Sequence, residues 1–362
     1  MAMNPDFFDA LYARAPKQVP HWEQWSNPDA ETFLTGIDYF DHPRQCRLKM
    51  RELYPQIQLA MPESDAPVPR PVRLANDDRH TVRWGASETA TFEHGEAFFK
   101  TPEDVFAFSP LEHADFREWK HVVVNWDFSS EETLYQTLRQ RYPAEWGDTP
   151  PPGDHTAAIG FYNTMFMWPM LTFGWELFLE CCLDERFERI MDEFLELNRR
   201  AFRAFARLPI HFVGCHDDIV MTRGPVCSKA WMNQYIYPAY EELWGILKAA
   251  GKDVTFIADG CMDECADDVM ALGVLGIITE PYTDFNVLAR KYPDRLLVGE
   301  GDNRILSRNN PAEIRAMVER MAANARICDG YMMSIGNAIP WNIPGEAVKL
   351  YLDLSAELAR RD

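Results

Sequence analysis

From about residue 155 the chain alternates short apolar runs with longer amphipathic ones. "HTAAIGF" (155–161), "IHFVGC" (210–215), "DVTFIA" (253–258), "VLGIITE" (274–280), "RLLVGEG" (295–301) and "GYMMSI" (330–335) read as strands. Between them, "SKAWMNQYIYPAYEELWGILKAAG" (228–251), "DECADDVMALG" (263–273), "DFNVLARKY" (284–292) and "NPAEIRAMVERMAANARI" (310–327) carry apolar residues at helical spacing. "PGEAVKLYLDLSAELARR" (344–361) closes the series, and 174–208 reads as one long helix or two. Short apolar runs bounded by polar turns suit buried strands, and a 3.6-residue apolar period suits helices that cover them.

The first half is less regular. Residues 5–14 and 42–56 read as helices, 129–142 as a helix opening on Ser and acids, and 80–95 as a hairpin around a Gly turn. Residues 62–78 are Pro-rich and read as irregular surface chain. Strands at 19–25 and 121–126 bring the total to eight. Alternating β and α elements imply a parallel sheet, and eight such units fit an α/β (β/α)8 TIM barrel. The expectation is a single domain over 1–362, with the 80–95 hairpin as an N-terminal insertion. A doubly wound open sheet is the other arrangement the alternation allows.

Composition narrows the partners. The formal net charge is −20, which argues against general affinity for nucleic acid or anionic membrane. No apolar run is long enough to span a bilayer, and the first 16 residues lack the basic start and apolar core of a signal peptide. The 8 cysteines are scattered through a long chain, so reduced thiols in a cytoplasmic protein are expected. The apolar closing helix and surface aromatics permit a homodimer.

In a barrel the carboxyl ends of the strands face the active site. Here they deliver His21, Trp22 and Glu23; then His216, Asp217 and Asp218; then Asp259, Gly260 and Cys261; then Glu280 and Tyr282; then Glu300 and Asp302; then Asn337 and Trp341. Any single Asp or Asn there can be a helix cap. His216, Glu280 and Glu300 are poor caps and need another reason. The run 161–175 is rich in aromatics and Met, which suits a core. Phe161, Met165, Phe166 and Trp168 also stand where they can wall a pocket, and Trp beside carboxylates suits a quaternary ammonium group.

Residues 155–362 resemble the uroporphyrinogen decarboxylase superfamily. The resemblance rests on motifs in order: "MLTFGWELFLECCLDERFERIMDEF" (170–194), "CHDDIVMTRGPVCSKAWMNQYIYPAYEELWGILKAAGK" (215–252), "LLVGEGDNRILSRNNPAEIRAMVERM" (296–321) and "GYMMSIGNAIPWNIPGEAVKLY" (330–351). It implies a (β/α)8 barrel and one of two chemistries. The decarboxylase branch binds a polyanionic tetrapyrrole through an Arg-rich N-terminal motif, yet the matching segment "VPHWEQWSNPDA" (19–30) has no arginine. Unpaired buried carboxylates are costly, so that substrate is not expected.

The other branch transfers methyl groups to or from a corrinoid and holds zinc with His-x-Cys and a later Cys. Those positions carry Ile257, Asp259 and Asn337 here, so the usual zinc ligands are absent. The variant donor set is His216, Asp259, Cys261 and Glu280, a mixed N/O/S site. The resemblance implies methyl transfer (a demethylation) between a small methylated substrate and cobalamin, carried on a partner corrinoid protein. His216, Asp217, Asp259, Cys261 and Glu280 would be catalytic. His21, Trp22, Phe161, Met165, Phe166, Trp168, Asp218, Tyr282, Glu300, Asp302, Asn337 and Trp341 would bind substrate. A decarboxylase or lyase of a small acid, using paired carboxylates, and a non-catalytic corrinoid- or ligand-binding module are the other readings.

Overall fold

The computed structural model describes residues 5–62, 64–70, 98–118, 125–146, 158–162 and 164–361. The expected hairpin at 80–95 lies outside the described residues. The chain divides into two compact units, residues 96–277 and residues 2–95 with 278–362. Among the described residues the main sheet has eight strands. The chain is thus an α/β protein.

In the first unit, Ala158–Phe161, Phe212–His216 and Asp253–Ala258 pair in that order, all parallel. Val213 to His216 are all buried, as expected for a parallel strand covered on both faces. The 20-residue helix Phe187–Ala206 supplies one cover. Its Ile190, Met191, Phe194, Leu197, Ala201, Phe202 and Phe205 are buried at helical spacing, and each large side chain so buried contributes about 1.5–3 kcal/mol. The segment expected as one helix at 228–251 is two, Lys229–Tyr235 and Tyr237–Ala249. Pro238 lacks the N–H to continue a helix from the preceding turn and sits at the start of the second one. A two-stranded antiparallel hairpin that the sequence pattern did not suggest, Val220–Met221 with Gly224–Pro225, follows Phe212–His216.

In the second unit the parallel order is Ile57–Gln58, His21–Trp22, Gly330–Ser334 and Leu296–Glu300. The division between the units falls inside the strand Gly276–Thr279. The helices Pro311–Ala325 and Gly345–Leu358 bury one face each. Ile57–Gln58 belongs to the main sheet, although its two residues are too few for an alternation to show. The strand expected at 121–126 falls largely on residues outside the description, since 121–124 are not described; Trp126 is in no strand. Among the described residues no helix is long and apolar enough to cross a membrane.

Candidate functional site

The alternation of a strand splits three neighbours in sequence into different roles. Asp217, just beyond the strand Phe212–His216, falls on the same side as Cys215 and meets Tyr240 of the helix Tyr237–Ala249, while His216 points to the other. Asp217 is completely buried. Its carboxylate accepts from the backbone N–H of Phe166 at 3.0 Å and of Met167 at 2.7 Å, and from the Tyr240 hydroxyl at 2.5 Å. It thereby caps the helix Met167–Phe173, whose N-cap residue Phe166 offers no capping side chain. Burial pushes its pKa up to about 6 against the pull of these hydrogen bonds. Asp217, expected as catalytic, has its oxygens occupied in holding this turn.

His216 is 7% exposed. Its Nε2 lies 3.0 Å from Asp218 Oδ1 and 3.9 Å from Asp259 Oδ2. Asp218 Oδ1 also accepts from the backbone N–H of Asp259 at 2.8 Å, so one oxygen ties two strand ends together. Burial alone drives the imidazole pKa down. The hydrogen bond and charge of Asp218, with the charges of Asp259 and Asp217 behind it, outweigh that and raise it. Nδ1 is buried with no hydrogen-bond partner among the described residues. The Tyr162 ring packs against the imidazole at a centroid distance of 4.4 Å, and Thr164 Oγ1 donates to His216 O at 2.8 Å.

Asp259 is followed by Gly260 at φ +140°. A Cβ there would lie 2.8 Å from the Met221 carbonyl carbon and oxygen, so only glycine lets the hairpin approach. The Cys261 N–H then donates to Met221 O at 2.9 Å. Burial raises the Cys261 thiol pKa, opposed by the Asp263 backbone. Cys265 is buried.

Other expected site residues of this unit sit in the core. Phe161, Phe166 and Trp168 are fully buried. They pack on Phe205 at 5.1 Å, Phe178 at 5.1 Å and Phe128 at 4.7 Å. Met165 is buried as well. The aromatic ring on the histidine is Tyr162, one residue beyond Phe161; sequence reading passed over it, and over Thr164 and Tyr240. Strand alternation, which sends Tyr162 to the face opposite Phe161, was the available signal.

In the second unit, His21 Nε2 meets Glu23 Oε1 at 2.6 Å, and Tyr351 hydroxyl donates to the same oxygen at 2.9 Å. The Ile335 N–H donates to both Glu23 oxygens. His21 and Glu23 are both buried, and Trp22 is half-buried. Glu300, at φ +79°, pairs with Arg320 and accepts from Asn324 Nδ2 at 2.6 Å and the Tyr331 hydroxyl at 3.0 Å. Asp302 caps the helix Asn303–Arg308 and binds Arg304, which lies over the Tyr282 ring. Glu280 accepts from Asn337 Nδ2 at 3.2 Å. Trp341 is half-buried.

Among the described residues, one group of His, Cys, Asp and Glu brings its donor atoms within 4.8 Å of one another: His216, Asp218 and Asp259. This set contains no thiol, and Cys261, whose thiolate burial disfavours, is outside it. A zinc–thiolate centre does not fit these residues.

Parallel strands whose ends carry a histidine clasped by acids give an α/β protein with an ionisable cluster at its strand ends. The uroporphyrinogen decarboxylase (URO-D) family model matches residues 169–358, and the chain belongs to that family. Its fold is similar to that of a methyltransferase from Methanosarcina mazei, with a TM-score of 0.56 over 99% of each chain at 12% sequence identity. No curated protein matches the chain.

Proposed function

We propose that this protein is a methyltransferase-like enzyme with the (β/α)8 architecture of its family, moving a methyl group from a small methylated substrate to a corrinoid on a partner protein. The observation that carries the reading is His216, buried and held between Asp218 and Asp259. The likeness to an archaeal methyltransferase supports it at the level of fold. The corrinoid supplies the methyl acceptor, and no residue of this chain is assigned to hold it.

When a methyl group leaves an oxygen or nitrogen, that heteroatom gains a lone pair and needs a proton or a positive charge already in place. His216 suits the first need. The carboxylates favour its imidazolium form, and Asp218 holds the ring through Nε2, so the imidazolium is the proton donor of the reading. Asp218 orients the ring, and Asp259 places a second negative charge beside it. No step runs through a zinc thiolate.

The same acid–base cluster suits a decarboxylase less well. A substrate carboxylate would meet Asp218 and Asp259, and like charges a few ångströms apart repel. A neutral methoxylated compound or a quaternary amine meets no such penalty.

The test is a spectroscopic one. Reduced cobalamin is mixed with the protein and a panel of methoxylated compounds and methylated amines, and the visible spectrum is followed. Conversion to methylcobalamin with one of them, lost in His216→Ala, is expected. No conversion, together with carbon dioxide release from a small acid, overturns the reading.

A further inference from the structure

The hairpin Val220–Met221 with Gly224–Pro225 and the turn before the helix Ala266–Ala271 border a cavity of about 340 Å³. Two side chains of opposite charge line it without a protein partner. Arg223 stands in the hairpin turn, and among the described residues its guanidinium makes no hydrogen bond or ion pair. Glu264 stands in the other turn, and among the described residues its carboxylate makes none either. That carboxylate faces Gly224, where a Cβ would come to 3.5 Å from Oε1. The other two charges on the wall satisfy each other: Lys229 Nζ donates to Asp268 Oδ1 at 3.1 Å and to Oδ2 at 2.9 Å. Val226 and Met232 supply apolar wall.

We propose that this cavity binds a small zwitterion, a molecule that carries a carboxylate and an ammonium group, such as an amino acid. The proposal is independent of the methyl-transfer reading. The charges on the wall select the class. A simple anion would pair with Arg223 but meet Glu264 and Asp268. A simple cation would pair with Glu264 but meet Arg223 and Lys229. Like charges brought into one small cavity repel. A zwitterion answers both unpaired side chains at once. Its carboxylate accepts from the Arg223 guanidinium, whose planar fork suits two parallel hydrogen bonds, and its ammonium group donates to Glu264. The carbons between them lie on Val226 and Met232. The volume suits a ligand of this size, since small-molecule sites begin at about 300 Å³.

The ligand would brace the candidate site. Val226 N donates to Ile219 O, Ile219 N to Asp217 O, and Cys261 N to Met221 O. A molecule held by both Arg223 and Glu264 adds a second tie between this hairpin and the segment that follows Asp259.

The native full chain is titrated by calorimetry with glycine, 4-aminobutanoate and 6-aminohexanoate, and with butanoate and butylamine as singly charged controls. Saturable binding of at least one zwitterion is expected, with butanoate and butylamine weaker by about tenfold or more, the loss of one charge-assisted hydrogen-bonded end. Arg223→Gln and Glu264→Gln should each weaken the zwitterion by a similar factor, and His216→Ala should keep it. Amide hydrogen exchange should slow at 219–226 and 260–265 when the zwitterion is added. Binding of a singly charged control as tight as that of the zwitterion, binding unchanged in both cavity variants, slowed exchange only elsewhere in the chain, or no saturable binding of any of the three zwitterions overturns the proposal.

Discussion

Asp218 and His216 share one hydrogen bond of 3.0 Å, and the Asp218 oxygen that makes it also accepts the backbone N–H of Asp259 at 2.8 Å. The histidine is thus fixed by an acid that is itself fixed to the neighbouring strand end. A residue held in this way can be protonated and deprotonated without reorganising its surroundings.

His216→Ala should lower the rate of methyl transfer by about 10²–10⁴-fold, the usual range for removal of a general acid. Far-UV circular dichroism should show the fold retained, with melting lowered by loss of the buried ring and its hydrogen bond. Asp218→Asn should leave the imidazole in place and lower its pKa, because a charge and a hydrogen bond to the cation are both weakened. The His216 ring proton followed by NMR should titrate at lower pH in Asp218→Asn, and the basic limb of the activity profile should move down with it. An unchanged midpoint in the variant would show that Asp218 does not set the charge on His216.

Asp217 gives a stability signature in place of an activity one. Its folded pKa is about 6 against an ordinary 3.8. The folded state therefore holds the proton over an interval in which the unfolded chain has lost it. Stability is greatest below the ordinary value and falls as pH rises through about 4 to 6, and the penalty is complete above the folded pKa. Urea unfolding of wild type should show this decline. Asp217→Asn, which cannot ionise, should remove it.

Gly260→Ala should destabilise the protein by about 1–3 kcal/mol, because it places a side chain at φ +140° and against the Met221 backbone. The melting temperature reports the loss. Activity should fall with it if the hairpin shapes the site. A neutral Gly260→Ala would mean that the hairpin can withdraw from this strand end at no cost.

Glu300 separates strain from bonding. Glu300→Ala leaves the Asn324 amide without its acceptor, leaves the Tyr331 hydroxyl only the Gly299 carbonyl, and keeps the left-handed backbone. A loss of about 2–4 kcal/mol is expected in denaturant unfolding. Glu300→Gly loses the same hydrogen bonds and relieves the backbone, so it should be more stable than Glu300→Ala by about 1 kcal/mol.

Cys261→Ser should retain activity within about threefold of wild type. The thiol stands outside the His216–Asp218–Asp259 group, and burial disfavours its thiolate. Metal content measured on the purified variant should match that of wild type. A drop in bound metal on this substitution would restore the mixed-ligand site expected from the sequence.

The apolar periods were enough to read the main-sheet strands from Ala158–Phe161 onward, most of the helices between them, and the strand ends that carry His216 and Asp259; they did not show the hairpin Val220–Met221 with Gly224–Pro225 or the break at Pro238. Those are local properties, set by side-chain spacing along one stretch of chain. Ile57–Gln58 escaped because two residues have no period. Which strand-end acids gather around the histidine is a different matter. Asp217, Glu300 and Asp302 look like Asp218 and Asp259 in sequence, but their carboxylates are taken up by Phe166, Met167 and Tyr240, by Arg320, Asn324 and Tyr331, and by Arg304 with its own helix start. Most of those partners stand tens of residues away, so a carboxylate's occupation depends on which distant donors the fold brings within 3 Å of it. The sequence by itself determined where the acids and the histidine stand on the strands. Only the tertiary structure decided that His216, Asp218 and Asp259 meet, because hydrogen bonding acts over the distances of the folded chain and not along its sequence.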